Sequence, residues 1–277
     1  MRAAALALIA LLIAAAAWPR GGGAVLVGRL VLPEPGALSG LSGIEVAAAG
    51  RRFVALSDRS RVIEGRLRRR AGRIAGIGDL AAWPLPGAPD SEGLARGPDG
   101  ALHISTEGPA RVLTFAGRRP AGVQPPRHGP WSRLGRHAAL EALAIDPAGR
   151  LVTLPEGPRF GLGPFPIWRL EGGRWTRIGA LGRRGAYLPV GADFGPDGRL
   201  YVLERAFLGP FGFQSRVRRL DPAGGRPAET VLTTGAGRFG NMEGLALWRA
   251  GPGDLRLLTV ADDDLGSQAA FAEFALR

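Results

Sequence analysis

Carboxylates punctuate this chain at a regular interval. The stretch Asp90–Arg111, DSEGLARGPDGALHISTEGPAR, is a short apolar run, a Pro-Asp-Gly turn and a second apolar run, with Glu92 and Glu107 at its outer ends. Related stretches follow at Leu140–Arg159, Ala192–Arg205 and Met242–Asp264, and another precedes at Ser42–Arg59. Their inner acids are Glu45, Glu92, Glu141, Asp193 and Glu243; their outer acids are Asp58, Glu107, Glu156, Glu204 and Asp262. In an antiparallel pair the start of the first strand lies beside the end of the second, so both acids of a repeat are expected at one edge. Carboxylates gathered in this way raise one another's pKa values unless something cationic sits among them.

Two kinds of cation are available. Arg59, Arg111, Arg159 and Arg205 follow outer acids closely, and their guanidinium groups can pair with carboxylates or grip a phosphate or carboxylate substrate bidentately. A hard divalent ion such as Ca²⁺ is the other, because it is held by carboxylate, carbonyl and water oxygens. Glu92, Glu107 and Glu156 are the candidate catalytic acids or bases. Glu45, Glu141, Asp193, Asn241, Glu243, Asp262 and Asp263 are the candidate metal ligands, with Asp262-Asp263-Asp264 notable because no arginine adjoins it. The plainer alternative at each acid is a turn cap or a bond to neighbouring backbone. The Asp262–Asp264 run also reads as a solvated acidic loop, and Asn241 as a turn residue.

The elements that must position these acids are short strands. A period of about 50 residues, built from apolar runs and Gly/Pro/Asp turns, is the signature of propeller blades. Third-strand candidates follow the outer acids at Val62–Leu67, Arg111–Phe115, Ile167–Glu171, Arg216–Asp221 and Ala270–Leu276. Fourth strands follow at Trp175–Leu181 and Glu229–Thr234, for example. The last repeat lacks a fourth strand, which the N-terminal Ala24–Leu32 can supply, closing the ring and removing two exposed sheet edges. The fold expected is an all-β propeller of five blades, or of six if Gly117–His137 or Leu208–Ser215 hides an atypical one. No sustained helical period follows residue 23, so almost no helix is expected.

Composition narrows the chemistry. Gly 44 and Pro 23 in 277 residues suit many turns. The formal charge of +12 invites nucleic-acid binding, but lysine is absent, all 36 cations are arginine, and they are scattered rather than set beside aromatic residues, so nucleic acid is not an expected partner. The absence of cysteine excludes disulfides, thiolate nucleophiles and zinc–thiolate sites. Residues 1–23 read as a secretory signal peptide: Arg2, an apolar run from Ala3 to Trp18, and small residues Ala15–Ala17 before Pro19. The alternative is an uncleaved N-terminal anchor. On the first reading residues 24–277 form one periplasmic or secreted domain with no stable membrane insertion. No Gly-x-Ser-x-Gly pentapeptide occurs, and lysine-dependent phosphate loops are excluded. His103 falls on a strand, and His128 and His137 in a Pro-rich loop; a packing or surface role suits each.

The segments LSGLSGIE, FVALSDR, DSEGLA with ISTEGP, LEALAI, YVLER, NMEGLAL and VADDDLGSQAAFAEF, in that order from about Leu38 to Phe274, resemble the phytase-like family of bacterial exported proteins, described as having an esterase-like activity of phytase. Ala142 stands where that family usually shows Gly, and Asp264-Leu265 where Asn-Phe is commoner. The resemblance implies hydrolysis of phosphate or carboxylic esters. Joined to the acids, it gives the expectation of metal-assisted hydrolysis of a small anionic ester at an acidic channel mouth. A non-catalytic periplasmic binding or scaffold propeller is the rival, since one fold hosts both roles.

Overall fold

The computed structural model describes residues 23–47, 50–134, 140–157, 163–224, 226–265 and 267–277. The N-terminal segment read as a signal peptide therefore lies outside the described residues, apart from Gly23, as do His137 and Arg159. Strand β1 (Ala24–Val31) opens the fold. Five four-stranded antiparallel sheets follow in sequence order. The first blade is β2 (Leu41–Val46), β3 (Arg52–Ser57), β4 (Arg61–Arg70) and β5 (Arg73–Pro84). The second is β6 (Ser91–Arg96), β7 (Leu102–Thr106), β8 (Arg111–Ala116) and β9 (Arg119–Pro120). The third is β10 (Ala142–Ile145), β11 (Leu151–Leu154), β12 (Phe165–Glu171) and β13 (Arg174–Leu181). The fourth is β14 (Leu188–Phe194), β15 (Leu200–Phe207), β16 (Phe213–Leu220) and β17 (Glu229–Thr233). The fifth is β18 (Asn241–Gly251), β19 (Asp254–Asp262) and β20 (Ala270–Leu276), completed by β1, which pairs with β20 from Ala24↔Leu276 to Val31↔Ala270.

The ring is therefore a five-bladed propeller closed by its N-terminal strand. The six-blade alternative is corrected. Gly117–His137 contributes only the two-residue β9 and a single 3₁₀ turn, Gly129–Arg133, among its described residues, and Leu208–Ser215 is a loop with the 3₁₀ turn Gly209–Phe211 running into β16. No described helix is long and apolar enough to cross a membrane.

Second strands such as β11 and most of β3 and β15 are buried on both faces, because each sheet is sandwiched between two others. One face of the first blade sends Ile44, Ala55 and Ile63 against Ala246, Leu258, Val260 and Phe271 of the fifth. Its other face sends Val54, Leu56 and Val62 against Leu94, Leu102 and Ile104 of the second. The innermost strands β2, β6, β10, β14 and β18 contact one another in turn around the axis.

Those inner contacts are close because each strand carries a small residue at the same station: Gly43, Gly93, Ala142, Gly191 and Gly244. A Cβ at Gly191 would stand 2.6 Å from the Glu243 carbonyl oxygen, and one at Gly93 would stand 2.8 Å from that of Glu141. At this station the ladder slips by a bulge in four blades, between Leu41 and Gly43, Ser91 and Leu94, Pro189 and Gly191, and Met242 and Gly244. A bulge re-aims the side chain beside it, and the residues so placed are Ser42, Glu92, Val190 and Glu243. In the third blade Glu141 lies directly before β10.

Candidate functional site

The small-residue station sets the phase of every blade, and it sorts the acids. Directly before it come Ser42, Glu92, Glu141, Val190 and Glu243. Two residues past the point on the second strand that faces it come Asp58, Glu107, Glu156, Arg205 and Asp262. These two sets ring one mouth of the channel. Three of the five predicted inner acids, Glu92, Glu141 and Glu243, belong to it.

The expectation that Glu45 and Asp193 join them is corrected. Both lie three residues further along their strands, where Glu45 accepts a hydrogen bond from the Arg96 amide (3.1 Å) and Asp193 one from the Leu247 amide (2.6 Å). Each thus satisfies an N–H on the inner edge of the next blade, the plainer role open to an acid. Burial and the facing Asp193 push Glu45 well above the carboxylate range, and burial lifts Asp193 to about 7.

Glu204 is corrected in the same way. The fourth blade's counterpart of the outer acids is Arg205, one residue later, and a shift of one residue turns a strand's side chain to the opposite face. Glu204 points into the sheet, is 0% exposed, and is gripped by Arg216 (2.8 and 3.0 Å) and Arg218 (2.5 and 2.7 Å).

A guanidinium therefore stands where the other four blades carry a carboxylate. Arg205 Nη1 donates to the Glu243 carboxylate and to Asn241 Oδ1 (2.6 Å), and Nη2 lies 3.9 Å from Glu156. Burial opposes its charge, but Glu243, Glu141 and Glu156 outweigh that and raise its pKa. Asn241 Nδ2 donates to Glu243 (2.8 Å) and to Asp264 Oδ1 (2.8 Å). The Asn241 oxygen proposed for a metal is thus engaged by Arg205.

Around this cation the carboxyls differ. Glu92 is pushed well above its ordinary value by burial, with Glu243, Glu107 and Asp58 adding repulsion. Glu141 is pushed up by burial, then by Glu156 and Glu92. Glu243 is raised by burial but pulled back by Arg205 and the Asn241 amide. Asp262 reaches about 8 through burial and then the field of Glu243. Asp263 turns aside: burial would raise it, but the Gly40 amide (2.8 Å) and the Ser39 hydroxyl (2.8 Å) hold it low, and it ties the fifth blade to the segment before β2.

Of the three described arginines read as clamps, only Arg205 makes a side-chain hydrogen bond to a ring carboxyl. Arg59 is exposed beside Asp58, Arg111 donates to the Gly87 carbonyl, and Arg159 lies outside the described residues. The donor set is all oxygen, which suits a hard cation. Yet among the described residues no three His, Asp or Glu side chains converge closely enough to share an ion, so the carboxyls do not form a cage as they stand. Asp58, read as an outer acid without an assigned role, stands in the ring, and Asp264 of the acidic run accepts from Asn241.

A model of the phytase-like family, described as esterase-like activity of phytase, matches residues 36–265. The chain belongs to that family. No curated protein matches this phytase-like chain significantly. Among solved structures it is similar to the PQQ-bound aldose sugar dehydrogenase of Streptomyces coelicolor, at 15% identity and a TM-score of 0.52, over 94% of this chain and 100% of that one. A protein of unknown function from Dyadobacter fermentans aligns at 14% identity and a TM-score of 0.50, over 92% and 100%. The calcium-binding regucalcin of Agrobacterium tumefaciens aligns at 16% identity and a TM-score of 0.49, over 86% and 91%. At such identities the first two likenesses establish the fold alone, and the third carries no argument.

Proposed function

We propose that the acidic mouth is the centre of an ester hydrolase working by carboxyl acid–base chemistry. The observation that carries this reading is the unequal treatment of like groups: burial and neighbouring acids push Glu92 and Glu141 well above the carboxylate range, while Arg205 and Asn241 pull the buried, raised Glu243 back down. Pairs of carboxyls pushed apart in this way supply a proton donor and a proton acceptor in one place. Glu243 takes a proton from the attacking water, Glu92 or Glu141 gives one to the leaving oxygen, and the Arg205 N–H groups face the charge that develops between them. Glu107 and Glu156 surround this set.

A divalent ion, Ca²⁺ foremost, remains part of the proposal only as a ligand to be tested, and no step is routed through it. Export to the periplasm or beyond is likewise proposed, supported by Arg2, the apolar Ala3–Trp18 run and the small residues Ala15–Ala17; N-terminal sequencing of protein recovered from the periplasm checks it.

The test is turnover of p-nitrophenyl acetate and p-nitrophenyl phosphate, each in chelator and in Ca²⁺, by wild type, Glu92→Gln and Glu141→Gln. Loss of one acid lowers kcat by roughly 10²–10⁴-fold. No turnover of either ester under either condition removes the reading. The second reading, a binding or scaffold propeller, is favoured by one contact set: Arg205 of the fourth blade reaches Glu243 of the fifth and lies near Glu156 of the third. It predicts an inactive protein in which Arg205 matters only to stability.

A further inference from the structure

The mouth has an apolar lip on one side. Phe207, the last residue of β15, is 60% exposed, Leu208 38% and Phe211 73% in the loop that follows it, and Leu265 is 74% exposed one residue beyond Asp264. These are four of the eight large hydrophobic side chains exposed among the described residues, and three of them lie within five residues, Phe207–Phe211. The loop is tied to the site through rings. The Arg205 guanidinium lies 5.4 Å from the centre of the Phe213 ring, and Phe213, itself buried, meets Phe207 at 5.0 Å. The loop also leans toward the approach to β18: the Gly237 amide donates to the Phe213 carbonyl (2.8 Å), four residues before Asn241. The apolar surface thus begins where the Arg205 contacts end.

Charge points the same way. The ring opposes Asp58, Glu92, Glu107, Glu141, Glu156, Glu243 and Asp262 with Arg205, whose Nη1 already serves Glu243 and Asn241. Among the described residues, a dianionic phosphate brought there meets mostly carboxyls, with Arg205 partly engaged and Arg59 exposed beside Asp58.

We propose that the Phe207–Phe213 loop forms an apolar subsite of the mouth, which selects uncharged esters bearing an alkyl or aromatic group over phosphate esters. This rests on the hydrolase reading and narrows its substrate class. Full burial of a methylene is worth about fourfold in binding, so a half-open lip gives about twofold per methylene. From p-nitrophenyl acetate to the hexanoate, kcat/KM is expected to rise about tenfold or more on this basis.

The experiment measures kcat/KM for p-nitrophenyl acetate, butanoate, hexanoate and phosphate with wild type, Phe211→Ala and Phe211→Asp, and in parallel the calorimetric binding of unreactive N-hexylacetamide to the same proteins. Support is a hexanoate-to-acetate ratio that falls toward one in both variants, phosphate as the poorest substrate, and amide binding lost in Phe211→Asp. Turnover of esters with no chain-length preference, or with phosphate preferred, overturns the subsite and leaves the hydrolase standing. If no ester turns over, the hydrolase reading fails, and amide binding alone decides the subsite: dependence on Phe211 sustains it, and no binding, or equal binding in all three proteins, overturns it.

Discussion

Replacing Arg205 by alanine removes the cation that the described ring residues bond directly. Its side chain is 19% exposed, it bonds Glu243 and Asn241, and Glu141 and Glu156 lie in its field. Removing one partner of a buried pair strands the other charge, at a cost of about 3–5 kcal/mol. That cost has an exit, because Glu243 can take up a proton and become neutral. At pH 5 the raised Glu243 does so readily, and the variant then loses little more than hydrogen bonds, about 1–2 kcal/mol. At pH 8 protonation is expensive and the full cost appears. Each kcal/mol moves the melting temperature of a chain this size by about 2–4 °C. The variant is therefore expected to melt roughly 10 °C below wild type at pH 8 and about 4 °C below it at pH 5. Paired calorimetric melts at the two pH values provide the assay. A loss under 2 °C at pH 8, or a larger loss at pH 5 than at pH 8, would refute the placement of Arg205 as the ring's counter-charge.

Other expectations follow from the same geometry. Glu204→Gln leaves Arg216 and Arg218 buried without a carboxylate, and urea unfolding should show a loss of about 3–5 kcal/mol. Wild-type stability should fall as pH rises from about 4 toward 8, because Asp262, at about 8 when folded against 3.8 as its reference value, binds more protons in the native state over that window. Asp262→Asn should flatten that slope and stabilise the protein at pH 8.5, and melts across the pH range that show an unchanged slope would count against it. Gly191→Ala forces a Cβ against the Glu243 carbonyl oxygen at 2.6 Å and should cost about 1–3 kcal/mol in denaturant titration, as overpacking does.

The architecture was legible because its signals are periodic. The acids, the turns and the N-terminal Ala24–Leu32 run all repeat or complete one unit, and β1 pairs with β20 as ring closure requires. The site was legible only in part, because the acids were aligned by type rather than by pleat. Glu45 and Asp193 look like members of the inner set, and Glu204 of the outer set, yet each is out of phase with the small-residue station by a few residues or by one. A slip of one reverses the face of a strand, and the bulges before Gly43, Gly191 and Gly244 break the simple alternation that would have exposed the slip. The hydrogen bonds that occupy Asn241 and Asp263 were beyond sequence, because they join residues such as Ser39 and Asp263 that are far apart in the chain.

A five-fold ring of identical acids would treat them all alike, each repelled equally by its neighbours and each equally in need of a cation on the axis. This ring is not symmetric. Ser42 and Val190 remove two inner carboxylates, and Arg205 replaces an outer one, so negative charge is neutralised most directly at Glu243 and less toward the second and third blades. Glu243 consequently sits against a guanidinium, while Glu92 and Glu141 face mainly other acids and buried surroundings. Equal groups in unequal fields hold their protons differently, and that difference is what acid–base catalysis needs. The same substitution ties the apolar lip to the Glu243 side of the mouth, because Arg205 stacks on Phe213 and Phe213 meets Phe207. One departure from the repeat, at position 205, thus sets Glu243 apart from Glu92 and Glu141 and ties the Phe207–Phe213 segment to the carboxyls.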